Sequence, residues 1–275
     1  MPRQVTRRLN SVTLSLKGST NACQHRTHAI PHTGDPGNVV PPLAMNFSLS
    51  LLSDPETVHL LLTGLAVTLR LFIGALACGF VIALLLTAVN LIPSRAVRAL
   101  ISLYVEYHRN VPTVVQIMVW YFGMPEILPK ALKLWINQGN SEFSFALIAL
   151  SLNVSAYYYE DIRSGIKAIA GTQLEAARAV GLSSVQALRC VVLPQAVRIA
   201  VPPIINRSLI LFKDTSLAMV IGVTELTYQV KRIENITFQT FQIFMISTFL
   251  YLVISLMIAL LGAQVARRYP ANFKR

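Results

Sequence analysis

Two stretches of this chain stay free of charge for longer than a soluble fold requires: Leu71 to Val89, 19 residues, and Ile243 to Ala266, 24 residues. About 20 apolar residues at 1.5 Å rise cross a hydrocarbon core of about 30 Å, so each is expected to span a membrane as a helix. Composition agrees. Only 13% of the 275 residues are charged, against roughly 25% in an ordinary soluble domain. That excludes a soluble enzyme and a disordered chain for most of the length.

Three further segments complete the expectation. Ala99 to Met124 is long enough but carries Glu106, His108, Arg109 and Pro112, and Phe143 to Tyr159 is apolar apart from Ser144, Ser151, Asn153 and Ser155. Val191 to Val223 runs 33 residues, about 50 Å as one straight helix, so a bend at Pro202 and Pro203 is expected. The fold class is therefore all-α integral membrane, with five transmembrane helices. Cytoplasmic loops collect Lys and Arg. Eleven such residues (Arg95, Arg98, Arg163, Lys167, Arg178, Arg189, Arg198, Arg267, Arg268, Lys274 and Arg275) fall on one side and four (Lys130, Lys133, Lys231 and Arg232) on the other. This places the N-terminus outside and the C-terminus inside.

Residues 1–44 form a separate, basic and polar stretch with no apolar run able to span lipid or bury a core. It is expected to be a disordered extension or a start assigned too early, with 45–275 as the transmembrane domain. A chain beginning at Met45 is expected to assemble and work like the whole. The net charge of +12 forms no basic stripe interleaved with aromatics, so no nucleic acid partner is expected. Cys23, Cys78 and Cys190 share no metal-ligand or CxxC spacing.

Between the third and fourth segments stand Glu175-Ala176-Ala177, three residues, Gly181, nine residues, then Val191-Val192-Leu193-Pro194. Residues 174–180 are good helix formers, and Gly181 suits a left-handed helix end. Small Ala176 and Ala177 allow close approach to a groove in another protein, and Glu175 offers a charge. The spacing resembles the EAA signature, EAA-x3-G-x9-I-x-LP, of ATP-binding-cassette importer permeases, with Val191 in place of Ile. The runs 156–166, 171–178, 193–196 and Lys213-Asp214-Thr215-Ser216-Leu217 are similar to the polar amino acid branch (histidine, glutamate, glutamine, lysine/arginine). One departure is Arg109-Asn110-Val111-Pro112, where that branch carries Arg-Gly-Thr-Pro.

The resemblance implies a type I importer permease fold of the MetI-like kind in a bacterial inner membrane. It also implies a coupling loop at about 166–194 that docks a separate ATPase through Glu175, Ala176, Ala177, Gly181, Leu193 and Pro194. Two such ATPase subunits would bind the ATP and Mg, leaving this chain with no cofactor and no chemical step. A second permease, identical or a sister chain, and a periplasmic binding protein would complete the assembly within membrane lipid. The expected cargo is a polar amino acid, with Arg109 and Lys213 tilting it toward glutamate or aspartate. The alternatives are a secondary transporter driven by an ion gradient and an ABC permease for another small solute such as an opine.

An arginine near mid-membrane costs roughly 2.5 to 3.5 kcal/mol on insertion scales, so Arg109 needs a partner or a wet cavity. With Pro112 it points to a discontinuous helix lining a substrate path. Lys213 and Asp214 are placed to recognise the two charges of a zwitterion, with Thr215 and Asn153 as further path candidates. The plainer reading is a structural ion pair of Arg109, Asp214 and Glu106 at a dimer interface, with Asn153 bonding helix to helix.

Overall fold

The computed structural model describes residues 49–268, with 138 and 170 excepted, and its regular elements are all helical. A 3-10 turn at Leu49–Ser53 leads into α1 (Pro55–Val89), α2 (Arg95–Asn110), α3 (Thr113–Met118), α4 (Met124–Ile127) and α5 (Lys130–Asn137). Then come α6 (Ser141–Lys167), α7 (Gly171–Ala179), α8 (Ser184–Ala187), α9 (Leu193–Asp214), α10 (Leu226–Thr237) and α11 (Thr240–Arg268). One π-helical turn, Val119–Gly123, joins α3 to α4, another, Leu188–Val192, joins α8 to α9, and α9 runs on into a 3-10 stretch, Thr215–Ile221. The expected extension 1–44, with Lys274 and Arg275, lies outside the described residues.

Three helical stretches, Pro55–Val89, Ser184–Ile221 and Thr240–Arg268, are long and apolar enough to cross a membrane. Helix α1 begins well before the expected Leu71. Asp54 caps it by accepting from the Thr57 amide at 3.0 Å and the Thr57 hydroxyl at 2.6 Å, and Pro55 starts the first turn. Arg70 stays exposed on its side and does not end it. The prolines of α9 do not end that helix either. Pro202 and Pro203 lie inside a continuous α-helix, which is flanked by the π turn at its start and the 3-10 stretch at its end. The second expected segment is discontinuous: Val111 and Pro112 adopt extended backbone between α2 and α3.

Helix α6 packs against α1, α2, α3 and α9. Leu71 and Ala75 of α1, Val105 of α2, Ile117 of α3, Leu150 and Tyr158 of α6 and Phe212 of α9 share the main core. Small residues let these helices approach closely, as packing without a hydrophobic driving force demands. A Cβ at Gly79 would collide with Val154 and come within 3.1 Å of the Ser151 carbonyl oxygen. By contrast α11 buries only Ile243 and Ser247 and exposes Phe249, Leu252, Leu256, Leu260 and Leu261. An apolar surface of that extent belongs against lipid or another membrane chain.

Candidate functional site

The residues singled out above fall in two places joined by the same helices. The first is the segment between α6 and α9. Helix α7 ends in a Schellman motif, with the Gly181 amide donating to the Arg178 carbonyl at 2.9 Å and the Leu182 amide to the Ala177 carbonyl at 3.1 Å. Gly181 sits at φ +86°, and nothing lies within 4 Å of the position a Cβ would take. Its requirement is thus one of backbone conformation alone. Ser183 and Gln186 then form a capping box that starts α8.

Glu175 and Ala176 are exposed, as are Val180 and Val185. Ala177 is different. It is 6% exposed and turned into the chain, so of the two alanines only Ala176 lies at the surface. Leu174 packs on a small cluster of Ile169, Val192 and Ala196, which seats α7 on the start of α9. Leu193 and Pro194 are exposed and open α9 directly after the π turn.

The second place is a pocket of about 250 Å³ lined by Thr113, Asn153, Val154, Tyr157, Arg207, Ile210, Leu211 and Asp214. It brings the broken helix together with α6 and α9. Arg207 lays its guanidinium 3.9 Å from the centre of the Tyr157 ring, and Arg109 stands 6.0 Å from the same ring. Asp161, one turn past Tyr157, feels both arginines, and Asp214 meets the Thr113 side chain with Lys213 and Arg207 near it. Among the described residues the only ion pairs are Arg163–Glu160 at 2.9 Å and Lys231–Glu234 at 2.6 Å. Charges of both signs therefore gather around Tyr157 without pairing. Asp161 Oδ2 and Arg207 Nε are buried with no hydrogen-bond partner.

Within this chain Glu106 accepts from Asn110 Nδ2 at 2.7 Å, as an i,i+4 neighbour on α2. Lys213 and Asp214 diverge. Successive helical residues point about 100° apart, so Lys213 lines a separate groove between α9 and α11 with Leu209, Ser216 and Thr248. Thr215 is fully buried, its hydroxyl donating to the Phe212 carbonyl at 2.7 Å. Asn153 lines the pocket while donating to the His108 carbonyl at 3.1 Å and to Gln116 Oε1 at 3.3 Å.

Several working residues escaped the sequence reading. Arg207 stands seven residues before Asp214, two helical turns along the same face, a signal hidden inside a segment read only for apolarity. Glu225, with no exposed surface, caps α10 and gathers three helices. It accepts from the Thr227 amide at 2.9 Å, the Tyr228 amide at 2.8 Å and the Tyr251 hydroxyl at 3.1 Å. Thr68 of α1 donates to it at 3.4 Å and accepts from the Leu226 amide at 3.0 Å. Further along α10, the Lys231 ammonium and the Thr240 hydroxyl hold the Glu234 carboxyl below its ordinary pKa.

Comparison with known proteins places this geometry. Residues 75–269 match the family model of the binding-protein-dependent transport system inner membrane component. The glutamate/aspartate import permease GltJ of Escherichia coli K12 is 32% identical over 216 residues, 76% of this chain and 88% of its own length. The histidine/lysine/arginine/ornithine transport system permease HisM of Salmonella typhimurium is 33% identical over 208 residues, 75% of this chain and 88% of its own length. Among solved structures, an amino acid ABC transporter with histidines aligns at a TM-score of 0.70 and 29% identity, covering 80% of this chain and 99% of that one. With the EAA spacing, the all-helical fold and these relatives in agreement, the chain belongs to the binding-protein-dependent transport inner membrane components, as a multi-pass permease of the polar amino acid ABC type.

Proposed function

We propose that this chain is one permease half of an ATP-driven importer that carries a polar amino acid across the bacterial inner membrane. The reading takes five spans, with the Lys and Arg asymmetry supporting an N-terminus outside and a C-terminus inside. The observation that carries the reading is connectivity. Helices α6 and α9, which flank the α7–α8 segment, also supply Asn153, Tyr157, Arg207 and Asp214 to the pocket. A push on Glu175 and Ala176 from a docked ATPase dimer is transmitted along two rigid helices to the groups around Tyr157, and the spans rock between inward and outward access. Two ATPase subunits hold the ATP and Mg, a second permease closes the path, and a periplasmic binding protein delivers the cargo.

The cargo argument also follows from charge. GltJ is named for acidic substrates and HisM for histidine and cationic ones; what all amino acids share is an α-carboxylate beside an α-ammonium. Arg207 and Arg109 face the first, Asp161 and Asp214 the second. With Lys213 turned into the other groove, cations and carboxylates balance, which favours recognition of the zwitterion over an acidic side chain. Uptake by vesicles holding the complete assembly tests the class of transporter. Uptake should continue when the proton gradient is collapsed and stop when ATP is removed; dependence on the gradient with indifference to ATP would make this a secondary transporter.

A further inference from the structure

One side chain completes the backbone where the second helix breaks. In a continuous helix the amide of residue 112 would donate to the carbonyl of residue 108, but proline has no such hydrogen. Gln116, with no exposed surface, takes that place: its Nε2 donates to the His108 carbonyl at 3.0 Å and to the Val111 carbonyl at 2.7 Å. Since carbonyls only accept, the amide orientation is fixed, and Oε1 must be the atom 2.6 Å from His108 Nδ1 and 3.3 Å from Asn153 Nδ2. His108 therefore carries its proton on Nδ1. The Arg109 carbonyl, which lost its partner when the chain turned, accepts from the Tyr157 hydroxyl at 3.4 Å. Asn153 and Tyr157 are one turn apart on α6, so both stitches come from one helix face and close one edge of the pocket.

We infer that Gln116 is a positioning residue for transport: it substitutes for the backbone donor that Pro112 removes and fixes the angle at which Arg109 and Thr113, on either side of the break, meet the pocket. The inference rests on the pocket being the substrate path. An ordinary buried glutamine would matter for assembly only. This one should matter for substrate affinity even when assembly is restored by other means, because an error of about 1 Å at a recognition site is enough to cost up to about a hundredfold.

The test is uptake by the whole transporter at varied amino acid concentration, with four versions of this chain: wild type, Gln116→Leu, Pro112→Ala and the double variant. With Gln116 gone, an amide at 112 lets the backbone rewind across the break and donate to the His108 carbonyl, so the double variant should assemble in wild-type amount but with the angle at the break lost. Its half-saturating concentration should rise about tenfold or more, with the maximal rate little changed. Pro112→Ala alone keeps Gln116 and should stay near wild type in both. A double variant with wild-type half-saturation overturns the inference, as does Gln116→Leu behaving like wild type. A double variant that fails to assemble also overturns it, since the amide at 112 would then not replace the side chain. Pro112→Ala alone matching the double would assign the geometry to the proline. Absence of uptake by the wild-type complex would instead sink the transport reading itself.

Discussion

The coupling segment and the pocket are built in opposite ways. Between residues 171 and 194 nearly every defining contact is local: a Schellman turn closed over residues 177–182, a capping box from Ser183 to Gln186, and a proline in the first turn of α9. Around the pocket, the contacts join residues far apart in the chain, such as Asn153 with His108 and Tyr158 with Ser208 at 2.8 Å. The first region is exposed and shaped by backbone conformation; the second is buried, and its charges are left without ion pairs. A surface meant to be gripped by a partner needs a fixed shape of its own, whereas a surface meant to receive a charged solute needs groups whose electrostatic demands are still open.

The most severe way to break this comparison is at Gly181. The open space around it removes any steric objection to a side chain, so Gly181→Val tests conformation alone. A β-branched residue at positive φ costs on the order of 1–2 kcal/mol or more, and ATP-driven uptake should be lost while membrane insertion persists. Gly181→Asn, which tolerates that region, should retain much of the activity. Equal failure of Asn and Val would mean that the glycine serves by size.

A smaller loss is expected in the pocket. Asp214→Asn removes one charge beside Arg207 and should lower uptake about tenfold or more, with normal assembly. Combining it with Arg207→Gln separates two roles. A structural pairing predicts recovery in the double variant, and a path predicts that both singles and the double all fail. Wild-type uptake by Asp214→Asn would remove that residue from the path. Glu175→Gln comes next: one exposed charge at a partner interface should change ATP-dependent uptake by roughly three- to tenfold, mostly through slower docking at low salt, where the charge is least screened. No change at any ionic strength would leave Glu175 outside the contact.

How much of this was legible in the sequence follows the same division. Contiguous spacing was enough to read the helix end at Gly181, because local structure needs only local residues. The pocket was half visible: Arg109 and Pro112 announced a break at membrane depth, but its partner Gln116 gave no sign, since an amide in an apolar stretch looks the same whether it faces a carbonyl or a neighbour's hydroxyl. The span limits erred where charge was taken as a boundary. Arg70 lies on the exposed side of α1, inside the helix, so its charge marks no helix end.

The smallest expected effects lie at two carboxylates away from both regions. Thr57, by its hydroxyl and amide, holds the Asp54 carboxyl below its ordinary pKa, and Lys231 with Thr240 does the same for Glu234. A depressed carboxylate pKa gives stability that is fully present above the unfolded value, about pH 4, and is lost as pH falls through the folded value. Asp54→Asn with Glu234→Gln should therefore lower thermal stability slightly at pH 7 and flatten its decline below pH 4. An unchanged acid decline would show that these carboxylates contribute nothing measurable.

The central claim, that the pocket beside the broken helix is the path moved by the coupling segment, is tested most directly by thiol labelling. In a complex whose native cysteines are replaced, Thr113→Cys marks the pocket and Leu256→Cys the apolar face of α11. Each is exposed to a membrane-impermeant reagent from either side, with and without ATP held in the ATPase subunits. The account predicts that the Thr113 position reacts from the cytoplasmic side without nucleotide and from the outer side with it, that Gly181→Val abolishes the change, and that the Leu256 position reacts from neither side. Reactivity at position 113 that is the same in both nucleotide states while uptake is normal would contradict it.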